Sequence, residues 1–318
     1  MQIAVVGSYG VGLTMRVPSM PAAGETLSGG SFASGPGGKG SNQAIGMARL
    51  GASVSLLTAV GDDAFGAAAF ELWRAEGVDA SAVTTVAGAS TMVGVIVVEP
   101  SGENRIVIAA GALDHLGERD VARFDAAIAA ADLLVVSMEI PEAAVVAALQ
   151  AGRRHGVQTL LNPAPARPLP DEVWPLIDVL TPNRGEALIL LGRAGDLADD
   201  MYNGDEMAVM YTNETELLAL ELAERTGGTV VLTCGRAGAV VVEAGVAVRV
   251  PPVVVDRVVD TTGAGDAFTA ALAVALAEGA TMDAAAAFAA RAGAHAVTIA
   301  EVVPSLPWRR DLPPASAS

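Results

Sequence analysis

Residues 258–279 read VVDTTGAGDAFTAALAVALAEG. Three small residues, Gly263, Ala264 and Gly265, stand directly before Asp266, and an alanine-rich run suited to a helix follows. A helix start with bare backbone attracts anions, because its unpaired N–H groups and its dipole both favour negative charge. A carboxylate at that point repels a bound phosphate, so Asp266 is not there to hold one. Two readings stay open. Asp266 is an acid at an ordinary helix start, where the dipole welcomes it. Or it takes the proton of a hydroxyl attacking a phosphate, while the N–H groups stabilise the moving phosphoryl group.

Outward from this turn and helix, β-branched runs alternate with alanine-rich, helix-compatible segments. Residues 2–8 (QIAVVGS), 53–61 (SVSLLTAVG), 132–139 (DLLVVSME), 158–165 (QTLLNPAP), 176–183 (LIDVLTPN) and 229–235 (TVVLTCG) read as strands. Residues 40–51 (GSNQAIGMARLG), 64–78 and 142–156 read as helices. Strands without polar alternation belong to a sheet covered on both faces. Alternating β and α then implies an α/β fold with a mostly parallel sheet. Two segments break the rhythm. Residues 13–33 mix prolines and glycines with extended residues, and in 91–109 the sequence EPSGEN divides two β-runs as a hairpin turn does. Both are expected in a small β lid, 13–33 with 91–109, closing over a main domain of 1–12, 34–90 and 110–318. The acidic stretch 195–216 reads as a solvated loop or short helix before a helix at 216–228. The tail 311–318, DLPPASAS, reads as disordered.

Composition narrows the function. With 19 basic and 36 acidic residues the net charge is −17, a poor match to nucleic acid or anionic lipid. The hydrophobic share of 52% supports a large core, but aromatics at 4% mean that it is built from Ala, Val and Leu. The single cysteine, Cys234, excludes an internal disulfide, lies at a strand end and reads as structural. No basic region precedes the first apolar run, and no uninterrupted apolar stretch is long enough for a membrane span, so a cytoplasmic location is expected. His115, His155 and His295 are scattered without metal-ligand spacing, and His155 suits a helix C-terminus.

A second glycine cluster, SGPGGKGSNQA at 34–44, sets Gly37, Gly38, Lys39, Gly40 and Asn42 before a helix. It lacks the full phosphate-loop spacing, so it is either an imperfect phosphate loop or a bare hinge at which Lys39 and Asn42 meet a polyhydroxyl ligand. A third, GSYGVG at 7–12, imitates a dinucleotide turn, but Pro18 and Pro21 follow where that motif needs a helix. In TNETE, Asn213 reads as a helix cap and not as a site residue.

These motifs in this order resemble the ribokinase branch of the PfkB-type carbohydrate kinases over nearly the whole chain. GGKGSNQA is similar to the family's N-terminal signature and DTTGAGDAF to its C-terminal one; LLNPAPA, LTPNRGEA and SLPWR match further family words. The resemblance implies a ribokinase-like three-layer fold with a central sheet flanked by helices, a β lid, and dimerisation through that lid. It implies ATP-dependent phosphorylation of a sugar's primary hydroxyl, with ribose as the default acceptor. By position, Asp266 resembles the catalytic base and Gly263, Ala264 and Gly265 the anion hole. Gly38, Lys39, Asn42 and Glu139 match sugar contacts. Asn183 and Glu186 match an N-x-x-E element, Glu186 holding Mg²⁺ through water. Thr233, Gly235 and Gly238 match the nucleotide-binding stretch, and Asp260 and Thr262 a monovalent-cation (K⁺) loop.

The match departs at three places. Gly10 and Gly12 stand where ribokinases carry an Asn and a sugar-gripping Asp, which leaves Glu25 as a compensating acid or points to a nucleoside or another sugar. Glu301 stands where a glycine is usual beside the cation loop. The acidic stretch 195–216 is longer than usual. From a different class, a non-catalytic sugar or nucleotide sensor has no need of Asp266.

Overall fold

The apolar runs form strands because only a two-sided cover satisfies them: residues 3–6 and 133–137 are buried on both faces. The computed structural model describes residues 1–101, 103–196 and 205–312. In chain order its elements begin with β1 (Gln2–Val6), β2 (Gly10–Arg16), β3 (Ser31–Gly37), α1 (Lys39–Arg49), β4 (Ser53–Leu57), β5 (Ala59–Gly61), α2 (Ala64–Glu76) and β6 (Val78–Asp79). Next come β7 (Thr84–Val86), β8 (Met92–Val98), β9 (Asn104–Ala109), α3 (Glu118–Ala129), β10 (Leu133–Ser137), α4 (Glu142–His155) and β11 (Gln158–Asn162). The chain continues through β12 (Val179–Leu180), α5 (Arg184–Leu190), α6 (Asp205–Thr226), β13 (Thr229–Thr233), β14 (Ala239–Glu243) and β15 (Val246–Val250). It closes with α7 (Ala264–Ala277), α8 (Met282–Ala296) and α9 (Val302–Ser305).

The main sheet has the order β15-β14-β13-β12-β11-β10-β1-β4-β6. Neighbours from β6 to β13 run parallel, and β14 and β15 add an antiparallel edge. Two hydrophobic clusters sandwich it, one built largely from α1, α7 and α8, the other from α3, α4 and α6. This is the α/β architecture with a mostly parallel sheet that the alternation implied. No helix among the described residues is long and apolar enough to cross a membrane.

The shortage of aromatics has a structural consequence. Ala267, Ala270, Ala271 and Ala273 of α7 and Ala285, Ala286, Ala289 and Ala292 of α8 are all buried, so helices approach closely on small side chains. Gly46 of α1 is part of this. A Cβ there would lie 2.8 Å from the Ala270 Cβ, so α1 crosses α7 at a distance that only glycine tolerates. One turn earlier on each helix stand Asn42 and Asp266. The crossing is what delivers them to each other.

Several local expectations change. The run 53–61 breaks at Thr58 into β4 and β5, which join different sheets. Of 176–183 only Val179 and Leu180 pair as a strand. GSYGVG leads into β2 with no helix after it, in keeping with Pro18 and Pro21. Within the acidic stretch, residues 197–204 lie outside the described residues, as does the tail 313–318. Its second half belongs to α6, a 22-residue helix beginning at Asp205. Asn213 is therefore inside that helix instead of capping it, and accepts a hydrogen bond from Arg249 at 3.3 Å. Glu214 pairs with Arg184 and Glu216 with Arg249, cations from outside the helix that offset part of the segment's charge. His155 sits in the last turn of α4, with Nε2 2.8 Å from Asp125.

A separate four-stranded sheet has the order β3-β2-β8-β9. It takes in Gly10 to Gly37 on one side, wider than 13–33, because β2 and β3 pair along their full lengths from Gly10↔Gly37 to Arg16↔Ser31.

Candidate active site

Gly263 sits at the N-cap of α7 with φ 84°, in the left-handed region, and a Cβ there would lie 2.8 Å from Val302. Both facts demand glycine. The turn opens the first N–H groups of α7 to whatever lies beyond its end. Ala264 N–H turns back to the Thr261 carbonyl at 3.3 Å, while those of Gly263 and Gly265 have no backbone partner among the described residues. Beside Gly265 the space is open.

Asp266, in the first turn of α7, is buried to 7% exposure. Both its oxygens are held by amides of consecutive residues in α1: Asn42 Nδ2 donates to Oδ2 at 2.9 Å, and Gln43 Nε2 to Oδ1 at 3.0 Å. Burial drives the Asp266 pKa above the usual carboxylate range, against the attraction of Lys39 and the two amide bonds; Glu139 adds to the rise. A carboxylate held this way has a strong appetite for a proton, and its remaining lone pairs can accept one from a hydroxyl.

Lys39 opens α1 directly after Gly38, whose φ of 88° and approach to the Tyr9 and Gly10 backbone leave no room for a Cβ. Burial alone would lower the Lys39 pKa, but Asp266, Glu139 and Glu186 together outweigh it and hold it above the ordinary lysine value. The ammonium is thus the charge that makes three carboxylates tolerable in one place. Glu139, in the loop after β10, is fixed through one oxygen: Ser8 Oγ donates to its Oε2 at 2.5 Å and the Lys39 backbone N–H at 3.0 Å. Its Oε1 has no hydrogen-bond partner among the described residues.

Asn183 caps α5 in a reciprocal box with Glu186: Glu186 N–H donates to Asn183 Oδ1, and Asn183 N–H to Glu186 Oε2, each at 2.8 Å. Desolvation raises the Glu186 pKa, opposed by the Asn183 N–H and Lys39. A hydrated divalent cation beside it would relieve that, and one carboxylate plus phosphate oxygens suits Mg²⁺, which keeps much of its water. Thr233, at the end of β13, bridges to Asn183, which joins the N-x-x-E element to the turn of Gly235 and Gly238. Cys234 in that turn is half-buried, with its thiol pKa pushed up by burial. Asp260 and Thr262 form their own turn: Thr262 N–H and Oγ1 donate to Asp260 Oδ1 at 2.9 and 2.7 Å, and Glu301 N–H approaches Oδ2 at 3.3 Å. Glu301 holds this position at φ 68°, which L-residues rarely adopt. The Asp260 carboxylate organises the loop, so a cation there would rest mainly on backbone carbonyls.

The small sheet contributes a row of glycines, flanked on the same face by Ile96, Ile106 and Ile108. Gly12 pairs with Gly35 on β3 and with Gly94 on β8, so three glycines lie in one row across adjacent strands. Paired residues share a face, and Arg16, on that same face of β2, is close enough for its charge to lower the Asp260 pKa. Glu25 does not supply the missing acid: it is exposed, and its carboxylate accepts from Ala22 N–H of its own turn at 2.8 Å.

Ser8, Gln43 and Asn162 were not singled out from the sequence. Gln43 Nε2 also donates to Asn162 Oδ1 at 3.1 Å, across 119 residues. The only local hint was that Gln43 and Asn162 lie within the words GGKGSNQA and LLNPAPA.

The family model for pfkB family carbohydrate kinases matches residues 2–309. The chain is 36% identical over 309 residues to ribokinase from Haemophilus influenzae, covering 97% of this chain and 96% of that protein. It is 35% identical over 269 residues to deoxyribokinase from Salmonella typhimurium, covering 84% and 83%. Its fold is similar to that of Arabidopsis thaliana ribokinase complexed with ribose and ATP, with a TM-score of 0.85, 28% identity, and coverage of 98% and 96%. The chain belongs to the pfkB family of carbohydrate kinases. Within that family it is a ribokinase-like carbohydrate kinase.

Proposed function

We propose that the protein transfers the γ-phosphoryl group of ATP to the primary hydroxyl of a sugar, with Asp266 as general base. The observation that carries this reading is the juxtaposition at the start of α7: a buried carboxylate held by two amides beside the free N–H groups of Gly263 and Gly265. Asp266 accepts the proton of the attacking hydroxyl; the N–H groups of the turn bind the phosphoryl oxygens as charge moves onto them. Lys39 keeps Asp266, Glu139 and Glu186 compatible with an incoming polyphosphate. Glu139 and Asn42 orient the acceptor, with the backbone of Gly38 beneath it. The turn from Thr233 to Gly238, with Asn183, receives the nucleotide. Mg²⁺, held through water by Glu186, would neutralise charge on the phosphates. K⁺ would sit at the 260–262 loop.

Ribose is the default acceptor, since several relatives are ribokinases and one related structure is complexed with ribose and ATP, although a deoxyribokinase is about equally similar. The row of Gly12, Gly35 and Gly94 favours a second reading, in which the room left by three missing side chains admits a nucleoside or another bulkier sugar. The small sheet (10–37 and 92–109) serves as lid. Its opposite face carries exposed Met15, Phe32, Val95 and Val107, which supports a homodimer through the lids; a cytoplasmic location belongs to the same proposal.

Asp266→Asn tests the reading. The variant should lose turnover by about a hundredfold or more while still binding ATP by calorimetry. Turnover within about threefold of the parent would remove Asp266 as base, and an unchanged sugar or nucleotide response without turnover in either protein would mark a sensor.

A further inference from the structure

Asp266 is held by more than its immediate neighbours. Gln43 is fully buried at 0% exposure, and its Nε2 group serves both Asp266 Oδ1 and Asn162 Oδ1. Asn162 Nδ2 in turn donates to the carbonyl of Thr181 at 3.1 Å. A backbone carbonyl only accepts, and that fixes the direction of everything upstream. Asn162 must turn its NH₂ to Thr181, so its oxygen faces Gln43. Gln43 must therefore present its NH₂, and the second hydrogen of that group is left pointing at Asp266. Flipping Gln43 would set its oxygen against both the Asn162 oxygen and a carboxylate.

The arrangement has a cost. Gln43 Oε1 is buried with no hydrogen-bond partner. Packing alone would not keep an amide there, since Leu or Met fills such a place without an orphaned oxygen. Asn42 differs: it holds Oδ2 alone, with no second partner described for its Nδ2.

We propose that Gln43 and Asn162 are positioning residues, a relay from the Thr181 carbonyl that keeps an N–H against Asp266 Oδ1. The relay fixes the carboxylate's rotamer, aims its free lone pair at the acceptor hydroxyl and favours the ionised form. The inference rests on the reading of Asp266 as base. The charged groups facing Asp266 are Lys39 at the start of α1, Glu139 after β10 and Glu186 on α5. The relay is neutral, so removing it changes the proton affinity of Asp266 without changing the net charge around it.

The test is a carboxyl ¹³C NMR titration of the full-length protein, with the Asp266 resonance identified by its absence in Asp266→Asn. Gln43→Met and Asn162→Leu remove the donors at similar volume, and Asn162→Ala stands in if leucine does not fold. The Asp266 midpoint should move to higher pH in Gln43→Met and less far in the Asn162 variant. The acid limb of kcat should follow it, kcat on that limb should fall about tenfold, and KM for ATP should not change. Folded variants with the parent midpoint and the parent acid limb would overturn the relay. A shifted midpoint alongside full turnover of Asp266→Asn would instead retain the relay and remove the base.

Discussion

Gly12→Asp is the perturbation that reads the acceptor side most directly. A Cβ built at Gly12 has Ile96 Cδ1 at 3.8 Å and Gly35 O at 3.9 Å as its nearest neighbours, ordinary van der Waals distances. A side chain fits there. Gly10, two residues earlier on the same face, differs: its Cβ would lie 2.4 Å from Met92 Cε and 2.9 Å from the Met92 carbonyl oxygen. The acid can therefore be restored at 12, whereas no side chain fits at 10 without a shift of Met92. A carboxylate at 12 would accept hydrogen bonds from acceptor hydroxyls, each worth about 1.5–3 kcal/mol when the acceptor is charged. One such bond lowers KM for ribose about tenfold to a hundredfold. The order of kcat should not change, because Asp266 and the α7 turn are untouched. The assay is ADP release from Mg-ATP against ribose and 2-deoxyribose, with Gly12→Ala as the steric control. Gly12→Asp should favour ribose over the deoxy sugar more than the parent does, while Gly12→Ala stays within about twofold of it. If a folded Gly12→Asp with an unchanged Tm leaves KM for ribose the same or raises it, the glycine row does not face the acceptor.

Two further outcomes follow from the α1–α7 crossing and from burial. Gly46→Ala gains about 1 kcal/mol of helix propensity but places a Cβ 2.8 Å from Ala270. Overpacking of this kind costs about 1–3 kcal/mol, so Tm and kcat should both fall, and Ala270→Gly in the same chain should restore them. Asp266→Asn should raise Tm of the ligand-free protein at neutral pH. The folded pKa of Asp266 lies above the unfolded value; its contribution is therefore fully present below about pH 3.9 and lost as pH rises through the folded value. A neutral side chain escapes that loss, and Asn42, whose Oδ1 has no partner, can turn to accept from it. Thermal melts across pH check this; equal Tm at neutral pH would contradict it.

The local features of the site were legible because their physics is local. Glycines before a helix mark a bare helix start whether or not the rest of the fold is known, and Asn183 and Glu186 stand three residues apart, the spacing at which the structure joins them in a reciprocal cap. What could not be read were contacts set by the tertiary crossing. Gln43 meets Asp266 only because Gly46 allows α1 onto α7, and it meets Asn162 only because β11 ends beside it. Glu25 failed as a compensating acid for the opposite reason: a carboxylate three residues from a free N–H satisfies its own turn first. The break at Thr58 was hidden because both halves of 53–61 are equally apolar, and only the second sheet distinguishes them.

The central claim is acceptor phosphorylation with Asp266 as base. Its most direct test is to incubate the parent protein and Asp266→Asn with Mg-ATP and a panel of pentoses, hexoses and nucleosides, with and without K⁺. ADP release is followed, and ³¹P–¹³C NMR locates the phosphoryl group on the product. The prediction is acceptor-dependent ADP release by the parent, a phosphate on the primary hydroxyl carbon, and near-complete loss in Asp266→Asn. Release that ignores the acceptor, or a variant that phosphorylates as fast as the parent, would contradict it.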